Sequence, residues 1–336
     1  MRTSFKVLLM LVAACLMAAS ARAQAKFPPE TRNAALRYWM GFVALEDVGA
    51  DEATQILIEK TLAGQTAWDE AKLGKLIDDN LDAIEIMQRA TNLPECDWGY
   101  EYSAEDPAPS VRFMANSARA LARLNALDGV RLASKGDTEH AAETWLAGIR
   151  FSQHLAQGSS LLLTLTAKST LLPNLKALTQ AAQAGALTSA QREQAEVAVR
   201  ALPESVFDWG SAWEMETLFL DAAWARLAAG TAKDPFALFK ELTGRAVAAD
   251  QRSAVKQTIV VPPPAKRETF DALMAEVAAA LRLSPAAARD RLASLLPAVQ
   301  RLDPVLTYAL PSFQKVNKAR IEIAAARAAA LRALAQ

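Results

Sequence analysis

Cysteine and histidine are scarce in this chain of 336 residues, which contains two of each. The cysteines are Cys15 and Cys96, and Cys15 lies in a leader that we expect to be removed. A single remaining cysteine cannot form an intrachain disulfide, so packing has to stabilise the fold. Cys96 itself is expected to be a half-buried small residue and not a nucleophile.

Short catalytic motifs are absent as well. Residues 24–336 contain no G-x-S-x-G, H-E-x-x-H, P-loop, G-x-G-x-x-G or C-x-x-C pattern. The sequence therefore lacks the short motifs by which serine hydrolases, zinc proteases, nucleotide-binding domains and dithiol oxidoreductases are recognised. His140 and His154 fall on one predicted helix, on the side away from its apolar residues, and both are expected to be exposed. The sequence therefore predicts no metal site and no cofactor.

Strand patterns are nearly absent too, and helical periodicity dominates. The sequence predicts an all-α protein, an irregular stack of helical hairpins in the manner of a tetratricopeptide or α-solenoid array, with no significant sheet. Residues 118–156 are predicted to form one hairpin, with Gly136 and Asp137 at its turn. No repeat of about 34 residues is found. The prolines at 262–264 suggest a break between residues 24–261 and 262–336, with the second part packed on the same domain.

Apolar spacing predicts which helix faces are buried. The helix within residues 31–46 carries an apolar stripe, which is expected to face the core: Leu36, Trp39, Met40 and Val43. On the helix predicted for residues 109–135, three arginines lie opposite the apolar face: Arg112, Arg119 and Arg123.

Two further features concern where helices end. Residues 68–91 are predicted to form one long amphipathic helix. Pro173 is expected to kink or terminate the helix that begins near Ser160.

The first 23 residues have the layout of a secretory signal peptide. Arg2 and Lys6 make a basic start, residues 7–19 are apolar, and Ala21-Arg22-Ala23 is a small-x-small cleavage signal. The apolar run is too short to cross a bilayer as a helix. Cleavage would place a chain starting at Gln24 in the periplasm or outside the cell.

A lipoprotein is the alternative. Val12-Ala13-Ala14-Cys15 resembles a lipobox, in which the cysteine is acylated and anchors the protein to a membrane. Apolar residues continue past Cys15 and a separate cleavage signal follows, which favours soluble export. Removal of the leader after Ala23 changes the formal net charge from 0 to about −3, so nothing points to nucleic acid as a partner.

Residues 92–109 form the best candidate for a functional segment, because they make a long connection without regular structure. The aromatic residues Trp98, Tyr100 and Tyr102 occupy alternate positions there, as in an extended strand, and the segment also holds carboxylates, among them Asp97 and Glu101. Aromatic faces beside carboxylates could bind a sugar and cleave a glycosidic bond, or bind a basic peptide. The favoured alternative is that the aromatic residues hold the loop on the helices while the acids face water.

A second segment repeats this pattern. Residues 93–99, which read LPECDWG, have an echo in residues 202–210, which read LPESVFDWG. Duplication or coincidence could produce the echo, which makes Asp208 and Trp209 additional binding candidates. Glu216, on the helix that follows, is either a buried functional carboxylate or the partner of an arginine from the stripe of Arg112, Arg119 and Arg123.

Several of these segments together resemble a group of uncharacterised exported helical proteins from environmental bacteria. The residues that carry the resemblance are Cys96-Asp97-Trp98-Gly99, residues 118–124, Gly136-Asp137, Ala141-Ala142, Trp145-Leu146 and residues 309–316. The resemblance implies a helical fold and export, and it implies no reaction.

The sequence favours a non-catalytic envelope protein that offers a helical surface to another envelope protein or a peptide. The poor catalytic inventory and the predicted hairpins motivate this expectation, as does an excess of acidic residues over residues 25–110 and of basic ones over 301–336. The alternative is an envelope hydrolase that acts on glycan through the carboxylates near Trp98.

Overall fold

A computed structural model describes residues 31–46, 51–100, 108–228, 264–302 and 311–336. Within these ranges the chain forms twelve helices and no strand, which confirms the predicted all-α class. A single parallel bridge between Asn33 and Glu95 is the one β-type pairing in the described residues. The leader, with Cys15, and a helix expected at 235–258 lie outside these ranges.

The helices occur in the following order. They are α1 (Ala34–Val43), α2 (Glu52–Leu62), α3 (Glu70–Asp79), α4 (Leu81–Ala90), α5 (Ala108–Ser134), α6 (Thr138–Ala156), α7 (Leu161–Gln183), α8 (Ser189–Ala201), α9 (Trp209–Ala228), α10 (Pro264–Arg282), α11 (Pro285–Gln300) and α12 (Phe313–Leu334).

Helices α5, α6 and α7 form the centre, each packed on the other two. Helices α1 to α4 cover one side, where α1 packs on α4. Helices α9 to α12 lie on the other side, where α12 packs on α7 and α9 packs on α10. One continuous buried cluster runs from Ala34 to Leu334, so the helices after the proline break share the core of those before it.

Local capping explains several helix starts. Asp137 accepts the backbone N–H of His140 and begins α6, as predicted, after Gly136 turns the chain with a φ of +83°. Ser284 caps α11, with Pro285 at the first helical position. The α5–α6 hairpin is therefore confirmed, while its likeness to a tetratricopeptide repeat stays a prediction.

The single helix expected over residues 68–91 is wrong, because α3 ends at Asp79 and α4 begins at Leu81. Asn80 between them is fully buried. Its side chain accepts the backbone N–H of Glu46 at 2.9 Å and donates to the carbonyl of Leu76 at 3.0 Å. A buried amide needs such partners, so these bonds favour a break that amphipathic spacing alone does not predict.

Of the two effects expected of Pro173, an early end of the helix is wrong, because α7 continues through this proline to Gln183, while a kink stays a prediction. Proline removes one backbone hydrogen bond from a helix. Leu171 and Leu175 on either side are completely buried, and α7 packs on α5, α6 and α12. That burial offsets the missing bond.

The apolar stripe predicted on α1 is present, but the prediction that it faces the core is wrong, because most of it faces solvent. Leu36, Met40 and Val43 are 56%, 60% and 80% exposed, while Trp39 is half-buried. The core instead takes the other side of α1, which carries Ala34, Ala35, Tyr38, Gly41 and Phe42. Arg37 is the only charged residue of α1 and apolar residues lie on both faces of the helix, so periodicity could not select the buried face.

Candidate functional site

Trp98, the central aromatic residue of the predicted functional loop, is part of the core. It is 8% exposed, and its indole N–H donates to the backbone carbonyl of His154 at 2.7 Å. Its ring stacks on Tyr38 at a centroid distance of 5.4 Å. Tyr100 is half-buried and stacks on the outer side of Trp98 at 6.4 Å. The described rings thus hold the loop on α1 and α6.

Asp97 is exposed and organises the backbone around it. Its Oδ1 accepts the N–H of Gly99 at 2.9 Å, and Gly99 adopts a positive φ of 62°. The Asp97 backbone N–H donates to Oδ1 of Asn33 at 2.8 Å, and its carbonyl accepts from Nδ2 of the same asparagine. Glu101 and Tyr102 lie outside the described residues. Glu95, the carboxylate two residues before Asp97, forms an exposed ion pair with Arg32 at 2.8 Å. Glycoside hydrolysis requires two carboxylates that act together on one bond, and Glu95 is engaged in that ion pair instead.

His154 is not exposed, so that prediction is wrong, whereas His140 is exposed as expected. The hydroxyl oxygen of Tyr38 lies 2.7 Å from Nδ1 of His154. Burial raises the pKa of Tyr38 and lowers the pKa of His154, and Arg150 contributes to the latter. Both rings are therefore kept neutral at physiological pH. Cys96 is buried beside them, and burial raises the pKa of its thiol to about 12.

The echo segment has a different local structure. Asp208 caps α9, with Oδ1 accepting the backbone N–H of Ser211 at 2.9 Å and Oδ2 accepting its hydroxyl at 2.7 Å. Trp209 is 1% exposed and donates to the carbonyl of Ser205 at 3.0 Å. Asp208 therefore begins a helix, whereas Asp97 supports a turn.

Arg119 and Arg123 donate to Thr166, Asn116 and Gln55, so the expected arginine pair with Glu216 is not formed by either. Burial raises the pKa of the Glu216 carboxyl to about 7, and the nearby backbone N–H of Leu161, the first residue of α7, acts in the opposite direction. Ser160 provides no side-chain cap for α7, and the Glu216 carboxyl lies near that uncapped end of the helix.

The exposed stripe of α1 continues onto α5. Phe113 of α5 is 52% exposed and stacks parallel to Trp39, with centroids 6.0 Å apart and planes within 3°. The stripe and Phe113 together form what we call the apolar surface: Leu36, Trp39, Met40, Val43 and Phe113.

A cleft of about 170 Å³ lies nearby, between α2 and α5. Arg119 and Arg123 line it, together with Gln55, Asn116 and the buried side chains of Ile58 and Leu124. We call it the arginine cleft. The sequence marked these two arginines as a polar face, but it could not show that α2 encloses them.

Comparison with protein-family models, with curated proteins and with solved structures found no match to this chain. The resemblance to exported helical proteins therefore stays a prediction. In the described part of the chain, no helix is long and apolar enough to cross a membrane. The same residues contain no group of three or more side chains placed to bind a metal ion.

Proposed function

We propose that this protein is an exported, non-catalytic interaction protein of the bacterial envelope that binds another envelope protein through the apolar surface. The observation that supports this function is the orientation of α1, whose apolar stripe faces solvent. The secretory layout of residues 1–23 supports export, with soluble release preferred to a lipid anchor at Cys15.

The apolar surface is large enough to matter energetically. Complete burial of an aliphatic side chain of this size contributes about 1.5–3 kcal/mol. Leu36, Met40 and Val43 each keep more than half of their surface in water, so a partner could recover about 1 kcal/mol from each. Contiguous exposed apolar residues of this kind typically mark an interaction site.

The geometry favours an amphipathic helix of the partner as the occupant. From Leu36 to Val43 the stripe rises about 10 Å, which is two helical turns. A partner helix could bury two or three apolar side chains against it, as in helix-in-groove recognition. A lipid surface fits less well, because interfacial helices usually carry several Lys or Arg residues, whereas α1 carries only Arg37.

Site-specific photocrosslinking in the exporting cell tests this function. A photoreactive residue at Val43 is compared with one at Val197 on α8, a valine that is 64% exposed and lies away from the apolar surface. We expect Val43 to give a discrete adduct with one envelope protein, and Val197 not to give it. Met40→Glu should weaken binding of the purified partner at least ten-fold, because a charge then enters the interface, and leave the circular dichroism spectrum unchanged.

Three results would contradict the proposal. Adducts between two copies of this chain alone would make the apolar surface a self-association site. Adducts with lipid alone would assign it to a membrane. Equal adduct patterns from Val43 and Val197 would show that the surface has no specific occupant.

A further inference from the structure

We infer that the arginine cleft binds one carboxylate group, an aspartate or glutamate side chain of the protein that docks on the apolar surface. This inference rests on the proposed function and adds the charge of the partner. It concerns Arg119 and Arg123, which lie four residues apart on α5 and therefore face the same side of the helix.

Among the described residues, the hydrogen-bond partners of these two arginines are uncharged. Arg119 donates from Nη2 to the hydroxyl of Thr166 at 2.9 Å and from Nη1 to Oδ1 of Asn116 at 3.2 Å. Arg123 donates to the side-chain carbonyl of Gln55. Two like charges at this spacing repel each other, and uncharged acceptors do not neutralise either of them.

Two other cations with little solvent exposure form ion pairs, whereas the buried Arg320 donates to the backbone carbonyl of Leu283. Arg131 binds Glu70 and Asp78, with 2.6 Å between the closest atoms of each pair, and Lys168 binds Glu322 at 2.6 Å. In the described residues Arg119 and Arg123 have no such carboxylate, although burial lowers the pKa of Arg119. Within the part of the chain that the structure describes, the cleft thus holds two positive charges without a carboxylate beside them.

The size of the cleft limits the ligand. Sites for drug-sized molecules usually measure about 300–1,000 Å³, so a space of about 170 Å³ suits a single small group. Guanidinium groups bind carboxylates through two parallel hydrogen bonds. Ile58 and Leu124 are almost completely buried beside the cleft, and low-polarity walls strengthen an ion pair formed there.

The position of the cleft connects it to the apolar surface. Phe113 belongs to that surface, and Asn116, one turn further along α5, lines the cleft. A partner helix on the stripe would therefore bring side chains within about a turn of Arg119. Charge complementarity selects an acidic residue at that point.

Binding of glutarate, a small dicarboxylate, to the full mature protein tests the inference without the partner. We expect saturable binding by calorimetry, and a dissociation constant at least ten-fold higher in the double variant Arg119→Gln, Arg123→Gln. The double variant Arg289→Gln, Arg332→Gln, which removes the same charge from two exposed positions, should bind as the parent does. Arg119→Lys with Arg123→Lys should fall between, because it keeps the charge but loses the paired hydrogen bonds.

The inference is overturned if glutarate does not bind the parent, or if both glutamine double variants bind it equally. Inorganic phosphate is the second probe, and binding ten-fold tighter than glutarate would assign the cleft to a free oxyanion instead. If glutarate binds as expected but Val43 gives no partner adduct, the proposed function fails while the anion site stands. If the adduct forms and glutarate does not bind, only the carboxylate assignment fails.

Discussion

Replacement of Trp98 tests whether the loop that carries Trp98 and Tyr100 stabilises the fold or provides a ligand-binding site. The indole is 8% exposed, stacks on Tyr38 and donates one hydrogen bond to the carbonyl of His154. Trp98→Ala removes all of these contacts and leaves a cavity. Substitutions of this kind in cores cost about 3–5 kcal/mol, so we expect the free energy of unfolding to fall by that amount.

Trp98→Phe separates the two contributions. It keeps an aromatic ring against Tyr38 but removes the hydrogen bond, which is worth about 1 kcal/mol, and some buried volume. We therefore expect a loss of about 1–2 kcal/mol for this variant. Val43→Ala, at a position 80% exposed, serves as the control and should change stability by no more than about 0.5 kcal/mol.

Urea unfolding followed by far-ultraviolet circular dichroism measures all three variants, because this signal does not depend on tryptophan. The reasoning is refuted if Trp98→Ala costs no more than Val43→Ala. It is also refuted if the alanine and phenylalanine variants lose the same free energy, since ring packing would then contribute nothing.

Three further predictions concern the acid, the packing and the leader. Burial raises the pKa of Glu216 to about 7, so between about pH 4.5 and 7 the folded state keeps a proton that the unfolded state loses. The free energy of unfolding should therefore fall as the pH rises through this range. Glu216→Gln should reduce that fall in urea titrations. A parent profile without this fall would contradict the buried position. Gly148→Ala places a methyl group 2.5 Å from Cγ of the buried Asn174 and should cost about 1–3 kcal/mol in urea unfolding, whereas Gly41→Ala has 3.4 Å or more and should be tolerated; equal losses would contradict this packing. Intact mass of the protein purified from the envelope should correspond to a chain starting at Gln24, and a mass for an acylated chain starting at Cys15 would contradict soluble export.

The helices could be predicted from sequence because their signals are local. Asp137 caps α6 and Ser284-Pro285 begins α11, and both rely on bonds within one turn of chain. The break at Asn80 could not be predicted, because its cause is a bond to Glu46, far along the chain. His154 was misplaced for the same reason, since its ring nitrogen meets Tyr38 of α1.

The candidate sites followed the same division. Residue type singled out five candidates: Asp97, Trp98, Asp208, Trp209 and Glu216. In the structure, each of these side chains already takes part in a helix end, a turn or the packing of the core. Composition shows that a carboxylate or an indole is present. It does not show whether a backbone N–H or a carbonyl already satisfies that group.

The order of residues by itself determined that this chain is helical, where most helices start and which faces are apolar, since periodicity and caps act over a few residues. Only the tertiary structure decided which of two apolar faces of α1 meets solvent, because Tyr38 and Phe42 compete for the same core as Leu36 and Met40. It also decided that Arg119 and Arg123 border a cleft, because α2 reaches them from more than fifty residues away in sequence. The burial of a side chain depends on the residues that pack around it, and the packing of the whole chain determines which residues those are.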